Sequence, residues 1–113
     1  MDHLLSSNYS LFLDESERVP KIAFASLMRS GNTFCRKLTE SITGVATGSN
    51  FMNTSSLQMS FVIQGFKGET ITDDKTWIVK THFPYTYPIT TEFTLSRSLV
   101  LVRNPFDVIT SLF

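Results

Sequence analysis

An α/β fold with a mostly parallel sheet flanked by helices is what this sequence predicts, and three observations carry the prediction. Two nearly continuous apolar runs, Ile22-Ala23-Phe24-Ala25-Ser26 and Ser98-Leu99-Val100-Leu101-Val102, have the pattern of strands buried on both faces. Each run passes through a polar turn into a segment with helical spacing of apolar residues. Strands that alternate with helices in this way belong to parallel sheets built from crossover units.

The elements follow in order. Residues 1 to 20 are a mixed lead-in closed by Pro20, because the residue before a proline is pushed away from helix. Residues 21 to 113 form the domain proper. After the first strand comes the turn Met28-Arg29-Ser30-Gly31-Asn32, and from Thr33 the apolar residues Phe34, Cys35, Leu38 and Ile42 recur at helical spacing up to Gly44, placed as a C-cap. Residues 44 to 60, rich in Gly, Ser, Thr and Asn, read as a long loop, and Phe61-Val62-Ile63 as a short strand. Thr76-Trp77-Ile78-Val79-Lys80 is a firmer strand, ended by Thr81-His82-Phe83-Pro84, whereas residues 84 to 96 carry no periodicity that assigns them. Arg103-Asn104-Pro105-Phe106-Asp107 turns the last strand into a helix, with Pro105 near its first position and Asp107 in its first turn. The chain stops at Phe113 inside that apolar helix, so the fold is expected to be incomplete at its C-terminus.

Composition narrows the function classes. With 113 residues, 42% of them hydrophobic, the chain suits one core. Lys plus Arg equals Asp plus Glu at ten each, so no global field marks a nucleic-acid or membrane binder, and an anion site must be built locally. The single cysteine, Cys35, excludes an internal disulfide and a Cys-rich zinc site and reads as a reduced core thiol. The first twenty residues lack a leader's basic start, and no run approaches the ~20 apolar residues of a membrane span, so an intracellular soluble protein is the default expectation. Asn8-Tyr9-Ser10 and Asn53-Thr54-Ser55 fit the glycosylation sequon, a triplet common by chance. Nothing is assigned to His3.

Ligands of open parallel sheets bind at the carboxyl ends of strands, and here three such ends carry polar, basic or imidazole groups: residues 29 to 33, 80 to 82 and 103 to 107. The first can be set against the phosphate-binding P-loop, G-x-x-x-x-G-K-[ST], which also lies between a strand and a helix. Aligned on Gly31, Ser26 stands for the first glycine, Asn32 for the lysine and Thr33 for the hydroxyl residue. Gly31 can take positive φ and bring backbone N–H groups to an anion at a helix N-terminus, while Arg29 supplies a cation from inside the loop. A triphosphatase also needs a metal-binding acid beside this loop, yet the last strand leads into Arg103. The site is therefore P-loop-like but suited to an anion held without a metal.

Three ordered segments resemble the sulfotransferases that use 3′-phosphoadenosine 5′-phosphosulfate (PAPS). Residues 27 to 34, Leu-Met-Arg-Ser-Gly-Asn-Thr-Phe, are similar to the family's 5′-phosphosulfate loop, P-[KR]-S-G-[TN]-T-W, with Met28 for its proline and Phe34 for its tryptophan. Lys80-Thr81-His82-Phe83-Pro84 resembles K-T-H-x-P, and Arg103-Asn104-Pro105-Phe106-Asp107 through Ser111 resembles the 3′-phosphate segment, R-N-P-x-D followed by a serine. The resemblance spans about residues 21 to 113. It implies that Arg29, Ser30, Gly31, Asn32 and Thr33 hold the 5′-phosphosulfate and that Arg103 and Ser111 hold the 3′-phosphate. It also implies that Phe34 faces the adenine, a phenyl ring being able to stack where the family has indole. The implied reaction moves a sulfuryl group from PAPS, as co-substrate, to an acceptor hydroxyl or amine. His82 acts as general base, and Arg29 and Lys80 supply positive charge.

Two other readings stay open at this stage. A nucleotide kinase or other P-loop NTPase is disfavoured by Asn32 and Arg103. A non-catalytic, truncated remnant of a sulfotransferase fits a chain that lacks the family's later glycine- and basic-rich segment and most of an acceptor pocket. The acceptor and the oligomeric state are not written in the sequence.

Overall fold

The computed structural model describes residues 10–51, 56–83 and 90–113. His3, both sequon asparagines (Asn8 and Asn53) and Pro84 lie outside them. The strands are β1 (Ile22–Ser26), β2 (Gly48–Ser49), β3 (Ile78–His82) and β4 (Arg97–Leu101); the helices are α1 (Asn32–Thr43), α2 (Ser56–Ile63) and α3 (Pro105–Leu112). All strand pairs are parallel, in the order β2-β3-β1-β4. The chain is thus an α/β unit with a parallel sheet flanked by helices, as its alternating pattern predicts. Register fixes what matters for a site: Ser26, the last residue of β1, stands opposite His82 on β3 and Leu101 on β4, so the three carboxyl ends lie abreast.

Several boundaries differ from the sequence reading, each for a physical reason. Phe61, Val62 and Ile63 are not a strand but the last turn of α2. A short apolar run looks the same in either state, because its length shows neither period. The stretch from 44 to 60 is likewise not all loop, since it contains β2 and the start of α2. Gly48 has poor strand propensity, but packing demands it: a Cβ there would lie 2.2 Å from the Ile71 carbonyl oxygen. β3 starts at Ile78 and runs on through Thr81 and His82, and β4 starts one residue early, at Arg97.

The largest departure concerns α1. Its apolar residues do not face the core: Phe34, Leu38 and Ile42 are 71, 49 and 75% exposed, while Asn32, Arg36 and Glu40 are buried. The cause is the neighbouring segment from Ala46 to Asn50, which is wholly buried and brings backbone polar groups with it. Arg36 donates from Nε to Thr47 Oγ1 at 2.9 Å and from Nη2 to the Thr47 carbonyl, and Glu40 Oε1 accepts from the Thr47 amide at 2.8 Å and its hydroxyl at 2.7 Å. Arg36 also pairs with buried Glu69 at 2.9 Å and lies over the Phe66 ring. A polar stripe spaced at i, i+4 and i+8 thereby does the work an apolar stripe normally does. Cys35, read as a core thiol, is only half-buried beside this stripe.

Among the described residues the buried apolar core is Ala23, Phe24, Ala46, Phe66, Ile78, Val79 and Val108. Part of the lead-in docks on it. Leu11 exchanges backbone hydrogen bonds with Gly44 and Ala46, and the Leu13 amide donates to the Lys75 carbonyl.

Candidate functional site

The turn after β1 is tight and holds two residues in left-handed backbone. Arg29 and Gly31 both adopt left-handed φ, 65° and 94°, and Gly31 is the N-cap of α1 without any side-chain cap. Left-handed backbone costs about 1–2 kcal/mol at a non-glycine residue such as Arg29. Strain of this kind collects where backbone N–H groups are turned toward an anion, and the dipole of α1 adds partial positive charge at the same point.

Beside the turn lies a cavity of about 410 Å³, lined by Arg29, Gly31, Asn32 and Thr33 of the loop, Lys80 and His82 of β3, and Ser111 of α3. Met28, Phe51, Phe61 and Glu69 complete the wall. Residues from two strand ends, after β1 and on β3, therefore meet in one space with Ser111 of α3, at the carboxyl edge where parallel sheets place ligand sites.

His82 is held firmly. Its Nδ1 lies 3.0 Å from the Ser26 carbonyl oxygen and 3.2 Å from the Ser26 hydroxyl. A carbonyl only accepts, so in the neutral ring Nδ1 carries the hydrogen and the lone pair stays on Nε2. Burial is the main cause that holds the imidazole pKa below its ordinary value, with Lys80 and Arg36 pushing the same way and the Ser26 bond and Glu69 pushing against it. A histidine so held is neutral at physiological pH and able to accept a proton. The Phe51 ring packs edge-on against it, 5.6 Å away.

Lys80 is 4% exposed, and its ammonium sits 4.4 Å from the Phe61 ring centroid and 5.7 Å from that of Phe51. Burial first, then the nearby Arg36 charge, lowers its pKa to about 8, with Glu69 opposing. It remains mostly charged at neutral pH.

The other residues named from sequence divide into two groups. Arg29 Nε donates to the Ser111 hydroxyl at 3.1 Å and to its carbonyl at 3.2 Å, and Arg103 Nη1 donates to the Arg29 carbonyl at 2.8 Å. Arg29, Arg103 and Ser111 thus form one cluster, although Arg103 does not line the cavity itself. Asn104 caps α3 by accepting from the Phe106 amide, Pro105 opens that helix, and Asp107 sits in its first turn. Asn32 is turned inward: its Nδ2 donates to the Phe24 carbonyl at 3.2 Å and to Ser26 Oγ at 2.9 Å. Its side chain therefore braces the end of β1, leaving Oδ1 without a partner among the described residues. Ser30 is buried and not on the cavity wall, and Phe34 is exposed one residue past it.

Phe51, Phe61 and Glu69 were not legible as site residues. Phe51 falls in a stretch that reads as loop, Phe61 in one that reads as strand, and Glu69 is an isolated acid whose partner, Arg36, is thirty-three residues away. No local spacing signals any of them. No protein-family model, curated protein or solved structure matches this chain. Among the described residues no helix is long and apolar enough to cross a membrane.

Proposed function

We propose that this chain carries the nucleotide-binding portion of a PAPS-dependent sulfotransferase. The observation that supports the reading best is the cavity in which the Arg29–Thr33 loop after β1, Lys80 and His82 of β3 and Ser111 of α3 converge. The loop and the α1 N-terminus receive the 5′-phosphosulfate through backbone N–H groups, and Arg103 and Ser111 serve the 3′-phosphate. The cluster of Arg29 with Ser111 and Arg103 keeps those donors together before the nucleotide arrives.

In the transfer step an acceptor oxygen or nitrogen attacks sulfur, the bond from sulfur to the bridging phosphate oxygen breaks, and 3′,5′-adenosine bisphosphate leaves. His82 takes the acceptor's proton on Nε2, the nitrogen left free by the Nδ1 bond to Ser26. Negative charge grows on the bridging oxygen, where Lys80, Arg29 and the loop amides stabilise it, an effect worth several kcal/mol when donors are preorganised.

The test is calorimetry of 3′,5′-adenosine bisphosphate and of ADP with the full chain and with Arg103→Ala. The bisphosphate is expected to bind more tightly than ADP and to lose about 10–100-fold in the variant, the worth of one charge-assisted phosphate contact. Equal affinity for the two nucleotides, or indifference to Arg103→Ala, would overturn the proposal.

A further inference from the structure

The mechanism above leaves one pair of buried charges unused. Arg36 is fully buried, and its Nη1 meets Glu69 Oε2 at 2.9 Å, with both side chains essentially out of water. A core ion pair of this kind seldom adds net stability over apolar packing, so its retention invites a role beyond holding the fold. Glu69 does not stop at Arg36: it also lines the cavity that holds Lys80 and His82.

We propose, building on the anion-site reading, that Glu69 is a positioning residue: anchored by Arg36, its carboxylate is the counter-charge that keeps the Lys80 ammonium charged and seated against Phe61 in the cavity. The charged and titratable groups around Lys80 come from each element packed there. Arg36 projects from α1, Glu69 from the segment before β3, His82 from β3 itself, and Arg29 from the loop that lines the same cavity. Of these Glu69 alone is negative. Its side chain is spoken for on one oxygen by Arg36, which fixes where the charge sits.

The consequence is a division of labour. The faces of Phe61 and Phe51 solvate the ammonium without neutralising it, so its charge stays available to an incoming anion. A direct carboxylate contact would quench that charge. With no carboxylate at all, Arg36 would repel Lys80 in a desolvated site and drive it to lose its proton. Glu69, held at one remove by Arg36, avoids both outcomes.

The experiment follows the titration of Lys80 in the full chain by ¹³C reductive methylation and NMR, in the parent and in Glu69→Gln, with thermal unfolding and bisphosphate calorimetry recorded on the same samples. Glutamine keeps an oxygen for Arg36, and Thr47 still accepts from it twice, which favours a folded variant. The parent midpoint is expected at about 8. In Glu69→Gln it should fall by about one pH unit, the scale of losing one nearby opposite charge, and bisphosphate affinity at pH 8 should fall several-fold. An unchanged Lys80 titration in a folded Glu69→Gln sinks the inference and leaves Glu69 a core residue only. If Glu69→Gln does not fold, the comparison moves to Arg36→Met against Arg36→Met/Glu69→Leu, and a Lys80 midpoint that is the same in both sinks it equally well. Failure of the parent to bind bisphosphate, with the Lys80 shift intact, would count against the sulfotransferase reading and not against the role of Glu69.

Discussion

β3 and β4 flank the same central strand, both parallel to it and in matching register, yet their environments are opposite. Ile78, Val79 and Lys80 on β3 are all buried, whereas Leu99 and Val100 on β4 are 54 and 60% exposed. β3 has β2 on its far edge and the layer of Arg36, Phe66 and Glu69 beside it; β4 is the last strand in the order. The lesson is that fold stability and ligand chemistry are distributed differently. The buried strand lies on the β3 side, while the groups proposed to bind an anion straddle both sides and are tied across the turn by Arg29, Arg103 and Ser111.

Two phenylalanines give the sharpest test of this contrast. Phe66 is fully buried against Arg36 and Phe61, and Phe106, at the start of α3, is 78% exposed. Phe66→Ala should cost about 3–5 kcal/mol in urea unfolding, because it opens a void that the polar layer cannot close over. Phe106→Ala should stay within about 0.5 kcal/mol. Similar losses at both sites would break the contrast between the two flanks.

A second pair separates buried from exposed charge. Arg36→Met leaves Glu69 buried and uncompensated and should cost about 3–5 kcal/mol, with much of that recovered in the double variant Arg36→Met/Glu69→Leu. Arg18 pairs with Glu15 at 3.8 Å and Asp74 at 3.5 Å in the open, and Arg18→Met should cost at most about 1 kcal/mol. Measured by the same unfolding curves, an Arg36 loss no larger than the Arg18 loss would mean that the polar stripe of α1 is wet.

How far the sequence discloses all this depends on the range of the signal. β1, β3, β4, α1 and α3 are legible because each is marked by neighbours: apolar runs, Gly31 and Gly44 at the ends of α1, Pro105 at the start of α3. The gathering of Arg29, Lys80 and His82 is legible through the rule that parallel strand ends share an edge, and Ser111 is legible only through the resemblance of residues 103–111 to a phosphate-binding segment. What is not legible rests on contacts between distant residues. The inward face of α1 is chosen by Thr47 and Glu69, not by the apolar spacing of Phe34, Leu38 and Ile42, so a reading by periodicity selects the wrong face. β2 is invisible because its strand state comes from packing of Gly48 on Ile71 rather than from propensity.

Phe34 carries the smallest expected effect and the most selective one. Exposed on α1 one turn-step beyond the loop, it has little packing to lose, and Phe34→Ala should leave the unfolding midpoint within about 0.5 kcal/mol. If the sulfated nucleotide lies along the loop as proposed, the ring is free to stack on adenine, and its removal should weaken 3′,5′-adenosine bisphosphate by about 1 kcal/mol, roughly fivefold. Inorganic pyrophosphate, which has no base to stack, should bind the parent and Phe34→Ala alike. Equal loss for both ligands would place the effect in the loop backbone instead of the ring. No loss for either would mean that the adenine runs along the other wall of the cavity, past Phe51 and Phe61.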